Sequence, residues 1–400
     1  MKRVGIMTLY HNNTNYGGML QAYALCRTVE SMGCSCRIID YVQRPLPMVE
    51  KLRRRVAADG LRRTTAYAVT EAGRKFREKG MRICCGRVPE EVKERERHVA
   101  EFRAGIPHTD PYTAEKLAEA AEQFDLILSG SDQIWNLGGA GQFDPAYWLD
   151  FVPKGKEKAA YAASMPIPEI PGSQVGLVRE WVRGLDCVSV REEQGRRLLE
   201  PLRGAPVPVV LDPVFLPEMK VWEKLSGGPL FRKPYLYAYF LGRDREKRKA
   251  AEEFAHLAGL QLVTTSFLTP GCYADRKFGD VRMCGGPEEF LNLIRYASFV
   301  LTDSFHAAVF AVLFQRPFRV FRRKEGDRSR NMDERIITLL EKTGMPECLT
   351  EPRDLVEALC GADRIPDHQK AGQIICRERE LSLAYLRAVL EGGKKEGADR

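Results

Sequence analysis

Residues 4–40 read VGIMTLYHNNTNYGGMLQAYALCRTVESMGCSCRIID, and the fold follows from how this stretch changes its period. Residues 4–9 are an apolar run with strand character. After a polar loop, Leu20, Ala24, Leu25, Val29 and Met32 recur at three- and four-residue spacing, the period of one helix face. Gly33 stops that helix, and residues 36–40 open a second strand-like run. Strand, loop, helix, strand is the unit from which parallel sheets are built.

Working outward, further strand-like runs fall at 126–129, 158–162, 186–190 and 207–211. The segment from about 45 to 105 lacks strand signals and reads as a helical insertion in the first domain. Asp212-Pro213 and Gly227-Gly228-Pro229 punctuate a connection over about 212–233. A second series then alternates: strand 235–241, helix 244–257, strand 262–265, helix 287–296, strand 299–303, helix 307–314 and strand 318–321. Pro287, just after Gly286, is a good first helical residue. A helix over 377–391 ends the chain. A chain of 400 residues exceeds what one core usually serves. The expected organisation is therefore an N-terminal α/β domain over 1–215, a C-terminal α/β domain over 230–375, and a helix and tail over 376–400. A cleft between the strand ends of the two domains is the default place for a ligand.

Apolar residues make up 44% and charged residues 29%, ordinary proportions for a soluble globular protein. No apolar run reaches 18 residues, and the N-terminus goes straight into a strand-like run, which argues against a membrane span or a signal peptide. Eleven scattered cysteines without paired metal spacing read as reduced thiols in a cytoplasmic protein, and no zinc site is expected. The formal charge is +8, and residues 51–100 alone hold 15 Lys or Arg against 7 Asp or Glu. That segment is a solvated helical face or a patch drawn to an anionic surface, either a membrane leaflet or a polyanionic acceptor. Without aromatic interleaving or a known motif, nucleic acid is not expected as a partner.

Four stretches at strand-to-helix junctions could carry chemistry. Asn15-Tyr16-Gly17-Gly18 opens the first helix, where paired glycines and free N–H groups suit a phosphate or carboxylate, or simply an Asn-capped turn. Gly130-Ser131-Asp132-Gln133-Ile134-Trp135-Asn136 follows the third run; Asp132 could take a proton, orient a hydroxyl or cap a helix, and Trp135 could be plain core. Arg191 directly follows a strand, where it could grip a carboxylate or phosphate or pair with Glu192 or Glu193. Asp303-Ser304-Phe305-His306 is the fourth; a histidine at a helix start suits a neutral base or proton donor near pH 7. His11 and His306 both lie at strand ends. A weaker set, Arg328, Arg330, Asn331 and Arg335, could bring cations to the cleft or be an ordinary helix start.

In this order the stretches resemble the polysaccharide pyruvyl transferase family. The matching pieces are Asn15-Tyr16-Gly17-Gly18 through Leu25, Ile39-Asp40-Tyr41, Gly130 to Asn136, Tyr161-Ala162-Ala163-Ser164, Ser189-Val190-Arg191-Glu192, Leu211-Asp212-Pro213, Gly286-Pro287, Thr302-Asp303-Ser304-Phe305-His306 and Pro317-Phe318. The resemblance implies two Rossmann-like domains facing across a cleft, as in the GT-B glycosyltransferases. It implies transfer of pyruvate from phosphoenolpyruvate onto two hydroxyls of a sugar or lipid-linked glycan, with no cofactor and no metal. By resemblance His306 is the general acid or base, Arg191 holds the donor's anionic groups, and Asp132 meets the acceptor sugar or a facing cation. Gly130, Ser131, Gln133, Asp303, Ser304, Arg330 and Arg335 complete the expected site. Well-known members carry Arg two residues before the His; here that position is Ser304, so Arg330 or Arg335 is expected to replace the charge. Two other classes of function fit the same pattern: a glycosyltransferase using a nucleotide sugar, and a non-catalytic glycan-binding protein.

Overall fold

The computed structural model describes residues 1–43, 90–137, 144–267, 275–323, 329–360 and 366–393, with single positions 56, 65, 69 and 73. The chain divides into two compact units. The first lies within Met1–Val69, Arg103–Pro217 and Arg377–Arg400, the second within Thr70–Phe102 and Glu218–Cys376.

The first unit is a parallel sheet of β1 (Arg3–Met7), β2 (Ser35–Ile38), β3 (Leu126–Ser129), β4 (Glu157–Ala163) and β5 (Cys187–Val190). Its order is β2-β1-β3-β4-β5. The middle strands are mostly apolar because helices cover both faces of such a sheet. Val4, Ile6, Ile127, Leu128 and Ala160 are fully buried. The helix Tyr16–Ser31 forms as its spacing predicts: Asn15 caps it, its Oδ1 accepting from Gly18 N at 3.2 Å, and the chain leaves at Gly33 with φ +82°. Tyr16, Met19, Leu20, Ala24, Leu25 and Val29 face inward. The expected strand over 207–211 forms no ladder; one bridge, Val190 to Val209, takes its place.

The second unit is a six-stranded parallel sheet: β6 (Tyr235–Tyr239), β7 (Gln261–Thr265), β8 (Val281–Met283), β9 (Phe299–Thr302), β10 (Phe318–Phe321) and β11 (Leu349–Thr350). Its order is β11-β10-β9-β6-β7-β8. The edge strands β8 and β11 have three and two residues, too short to carry a period that sequence could reveal.

Two parts of the chain group otherwise than the sequence suggests. Most of the basic insertion lies outside the described residues, but the helix Glu90–Ala104 groups with the second unit as far as Phe102, through Arg95 Nη1 donating to Ser266 O at 3.0 Å and Arg282 meeting Glu91 at 3.6 Å. The last helix, His368–Leu390, starts nine residues before the expected position, and from Arg377 it groups with the first unit instead of standing apart. There Ser382 Oγ accepts from Leu211 N at 3.0 Å, Arg379 donates to Leu216 O at 2.9 Å, and Leu386, Val389 and Leu390 are buried.

Candidate functional site

In open α/β sheets, ligands collect beyond the carboxyl ends of the strands where the strand order reverses. In the first unit that point lies between β1 and β3, which run in register up to Met7 opposite Ser129. Residues 8–15 and 130–136 emerge there, and they bind each other tightly. Thr8 Oγ1 donates to Ser131 O at 3.0 Å, and Gln21 Nε2 donates to Thr8 Oγ1 and Gly18 O, each at 3.0 Å. Gly130 is required by close approach: a Cβ there would lie 3.0 Å from Ile6 Cγ2. A Cβ on Gly18 would lie 2.6 Å from Asn13 Nδ2 and 3.4 Å from Asp132 Oδ2. The glycine that could admit a ligand's phosphate thus admits the chain's own Asn13 and Asp132. Tyr16 and Gly17 are buried, and Asn15 acts as the helix cap.

Asp132 sits at φ +77°, a left-handed conformation that costs a non-glycine residue about 1–3 kcal/mol. Its carbonyl accepts from Ser164 N at 3.0 Å and Ile134 N at 2.8 Å, which fix it to the end of β4. Beneath it Trp135 is fully buried and stacks on Trp148, with centroids 4.3 Å apart and rings 4° from parallel. Gln133 Oε1 accepts from Asn136 Nδ2 at 3.2 Å.

Arg191 is 4% exposed. Its Nη1 makes a direct ion pair with Asp212, Nη2 lies 3.8 Å from Asp132 Oδ1, and Nε lies 3.9 Å from Glu192 Oε2. Ser131 Oγ donates to Asp212 Oδ2 at 3.4 Å. Burial works against the charged guanidinium, but Asp212, Glu192 and Asp132 together hold its pKa above the ordinary value. The expectation that Arg191 grips an anionic donor meets a different arrangement: three carboxylates of its own chain surround it, and it anchors Asp132. Asp212 was legible only as part of an Asp-Pro turn; the fold makes it the counter-charge. A dyad that sequence did not assemble completes this edge. His11 Nδ1 lies 2.9 Å from Asp40 Oδ1, and His11 Nε2 lies 3.0 Å from Asn12 Nδ2. Donation of Nδ1–H to Asp40 leaves Nε2 as the acceptor.

In the second unit the order reverses between β6 and β9. Asp303, just past β9, is 1% exposed; its carboxylate accepts from Leu241 N and from Lys247 Nζ, both at 2.7 Å. Arg323 Nε donates to Asp303 O at 2.9 Å. Ser304 caps the helix Phe305–Leu313, accepting from Ala307 N at 3.5 Å, and thereby sets His306 on the first turn. His306 is 7% exposed and packs edge-on to Phe305, centroids 5.1 Å apart. The Arg335 guanidinium lies 5.7 Å from the centre of the Phe305 ring on that helix. Tyr239 ends β6; burial pushes its phenol up to about 12, with Asp303 and Asp275 adding to the rise and Arg95 and Arg323 opposing it.

Of the weaker set, Arg335 is the one described beside the helix that carries His306, while Arg330 belongs to the helix Ser329–Thr343 with its side chain outside the described residues, as Arg328 and the side chain of Asn331 also are. Arg95, Arg323 and Lys247 were missed. Each sits in a stretch that reads as an ordinary charged helix or strand end, and no spacing marks the one that turns inward. No cluster of His, Cys, Asp or Glu able to hold a metal occurs among the described residues.

Two Rossmann-like units, each with its polar side chains gathered where strand order reverses, define a GT-B-like protein. The structure is similar to a UDP-GlcNAc 2-epimerase from Neisseria meningitidis, with a TM-score of 0.54 and 11% identity over 98% of this chain and 100% of that one. It is similar to the UDP-GlcNAc 2-epimerase of Methanocaldococcus jannaschii, with a TM-score of 0.50 and 12% identity over 94% and 99% of the two chains. At such identities the likeness shows the fold alone. No curated protein matches the chain significantly. The family model of polysaccharide pyruvyl transferases matches residues 15–325, and the chain belongs to that family.

Proposed function

We propose that this protein transfers the pyruvyl group of phosphoenolpyruvate onto two hydroxyls of a sugar, forming a ketal and releasing phosphate, in the synthesis of a cell-surface polysaccharide. The observation that carries this reading is the setting of His306. It stands on the first turn of a capped helix at the switch point of the second unit, with Arg335 over the neighbouring Phe305 and Arg323 tied to Asp303.

The donor carries a carboxylate and a phosphate, so it calls for guanidinium groups and helix N-terminal N–H groups. Arg323, Arg335 and Arg95 are the cations that answer for the arginine absent at Ser304. His306 is the proton donor to the donor's methylene carbon. Asp132, anchored by Arg191, receives the acceptor hydroxyls. The balance closes: the C=C π bond, the C–O bond to phosphate and two hydroxyl O–H bonds break, one C–H bond and two C–O bonds form, one hydroxyl proton replaces the one His306 gives to the methylene carbon, and the other leaves with the phosphate. The acceptor is a sugar or lipid-linked glycan on the cytoplasmic side, and the basic segment of residues 51–100 holds the enzyme peripherally on an anionic membrane. No helix among the described residues is long and apolar enough to cross one. Absence of salt-sensitive pelleting with anionic liposomes removes the membrane part.

The test of the donor is a thermal shift of the full chain. Phosphoenolpyruvate is compared with a panel of nucleoside diphosphates and nucleotide sugars, because a ligand of the native state raises the midpoint by mass action. A rise with phosphoenolpyruvate that is lost in Arg323→Ala and Arg335→Ala supports the reading. A rise with nucleotides alone moves the assignment to glycosyl transfer.

A further inference from the structure

The His11–Asp40 dyad stands at the carboxyl ends of the first unit's strands, and the proposed transfer gives it no task. His11 lies in the loop that leaves β1, and Asp40 lies two residues past β2. The order β2-β1-β3 therefore puts Asp40 and Asp132 on opposite sides of the end of β1. The same loop reaches the Asp132 segment. Thr8 Oγ1 donates to Ser131 O at 3.0 Å, and Asn13 Nδ2 and Asp132 Oδ2 both come within 3.4 Å of the place a Gly18 Cβ would take.

The chain fixes the carboxylate and leaves the imidazole within reach. Ile39 N donates to Ile6 O at 2.8 Å, Asp40 N donates to Thr109 Oγ1 at 3.1 Å, and Asp40 O accepts from Tyr112 N at 2.8 Å. Asn13 N donates to Tyr10 O at 3.1 Å, which closes a turn around His11 and Asn12. The Asp40 side chain is 12% exposed and the His11 side chain 27%. The two partners of the ring set its tautomer. A carboxylate only accepts and an amide nitrogen only donates, so Asp40 takes the proton of Nδ1 and Asn12 Nδ2 gives one to Nε2. Asn12 is an exposed residue, and its N–H stands where the O–H of a substrate would stand.

We infer that His11 is a catalytic base: its Nε2 takes the proton of an acceptor sugar hydroxyl, with Asp40 as the positioning residue. The inference rests on the transfer reading only in needing a hydroxyl acceptor, and it holds for a pyruvyl or a glycosyl donor. An imidazole, ionising at about 6.5, suits this task at neutral pH better than a carboxylate ionising at about 4. Asp132, which shares the Arg191 cation with Asp212 and Glu192, orients the hydroxyl, and His11 removes its proton. The O–H bond breaks as the oxygen's electron pair forms the C–O bond to the donor's electrophilic carbon. The proton passes to Nε2, and the imidazolium returns it to water once product leaves. It is one of the hydroxyl protons that the transfer must release, so nothing further is consumed.

The experiment measures turnover by the full chain with methyl glycosides of glucose, galactose, mannose and N-acetylglucosamine as acceptors. Phosphate release from phosphoenolpyruvate and UDP release from UDP-glucose are followed in parallel. In His11→Ala, kcat is expected to fall by about 10²–10⁴, with KM and the thermal midpoint little changed. Added imidazole is expected to restore at least tenfold, a response that a merely structural histidine would not give. Asp40→Asn is expected to lower kcat at least tenfold at unchanged KM, while ring-nitrogen NMR shows His11 moving from the Nδ1–H towards the Nε2–H tautomer. The inference is overturned if His11→Ala keeps kcat within a few-fold of the wild type, or if its loss comes with a fallen midpoint and no response to imidazole. Turnover of UDP-glucose alone, with the same loss in His11→Ala, removes the pyruvyl donor and keeps the base. Turnover of neither donor with any acceptor removes the transfer reading and the base together.

Discussion

Each unit carries a hydroxyl residue followed by aspartate near the carboxyl end of a central strand: Ser131-Asp132 starts two residues past β3, and Thr302-Asp303 starts on the last residue of β9. The two aspartates occupy matching places beside a switch point, and the fold holds them in opposite ways. Asp303 is closed off, with Lys247 and the Leu241 amide on its carboxylate, and so it shapes the loop. Asp132 is strained, at the rim of a cluster in which one guanidinium serves three carboxylates. Beside Asp303 stand Lys247 and Arg323; beside Asp132 and its Arg191 stand Asp212 and Glu192. Comparable strand ends thus carry more cations in one unit and more carboxylates in the other.

The sharpest way to break that division of labour is His306→Ala. Phosphate release from phosphoenolpyruvate in the presence of acceptor should fall by about 10²–10⁴, the usual contribution of a general acid–base group, with the thermal midpoint nearly unchanged. Activity within a few-fold of the wild type removes His306 from the chemistry.

Arg191→Leu tests the other side. It leaves three buried carboxylates without their cation, and breaking a buried pair in this way costs about 3–5 kcal/mol. Urea unfolding should show that loss, and Arg191→Lys should not restore it, because a single ammonium cannot reach Asp212, Asp132 and Glu192 together. If Arg191→Leu leaves stability intact and only weakens donor binding, the arginine is a ligand-binding group after all.

Gly130→Ala sharpens the local comparison. Its Cβ would crowd Ile6, so a cost of about 1–3 kcal/mol is expected in the same unfolding assay. Gly172→Ala, with open space around the added carbon, should cost little.

The smallest expected effects are those of pH. Tyr239 has a folded pKa near 12, above the ordinary value of 10, so its contribution to stability is complete below pH 10 and fades as pH rises through 12. Tyr239→Phe should flatten the stability profile in that window. Asp125, paired with Arg3 at the surface, has its pKa lowered from 3.8 to about 2, chiefly by the Arg3 hydrogen bond. Its contribution is present above pH 4 and vanishes as pH falls through 2, so Asp125→Asn should differ slightly from wild type at pH 7 and not at all at pH 1.5.

Period and punctuation carried a large part of the fold. The 4–40 stretch announced a β-loop-α-β unit because apolar spacing changes from strand to helix period on either side of a capped loop. Gly18, Gly130 and Trp135 were legible as turn and core residues because tight backbone approach and large apolar area leave few substitutes. His306 was legible because it stands at a strand-to-helix junction, where local order alone fixes the outcome.

What only the tertiary structure decided was pairing. Nothing local ties Arg191 to Asp212, Asp303 to Lys247, His11 to Asp40 or Arg95 to Ser266, because each partner arrives on a different element and the choice depends on strand order. Nor could spacing show that the helix Glu90–Ala104 would group with the second unit, or the end of the last helix with the first. The sequence by itself determined which elements form and which side chains stand at their ends. Burial and charge balance, which exist only once distant strands are side by side, determined which of those side chains hold the structure together and which remain to act.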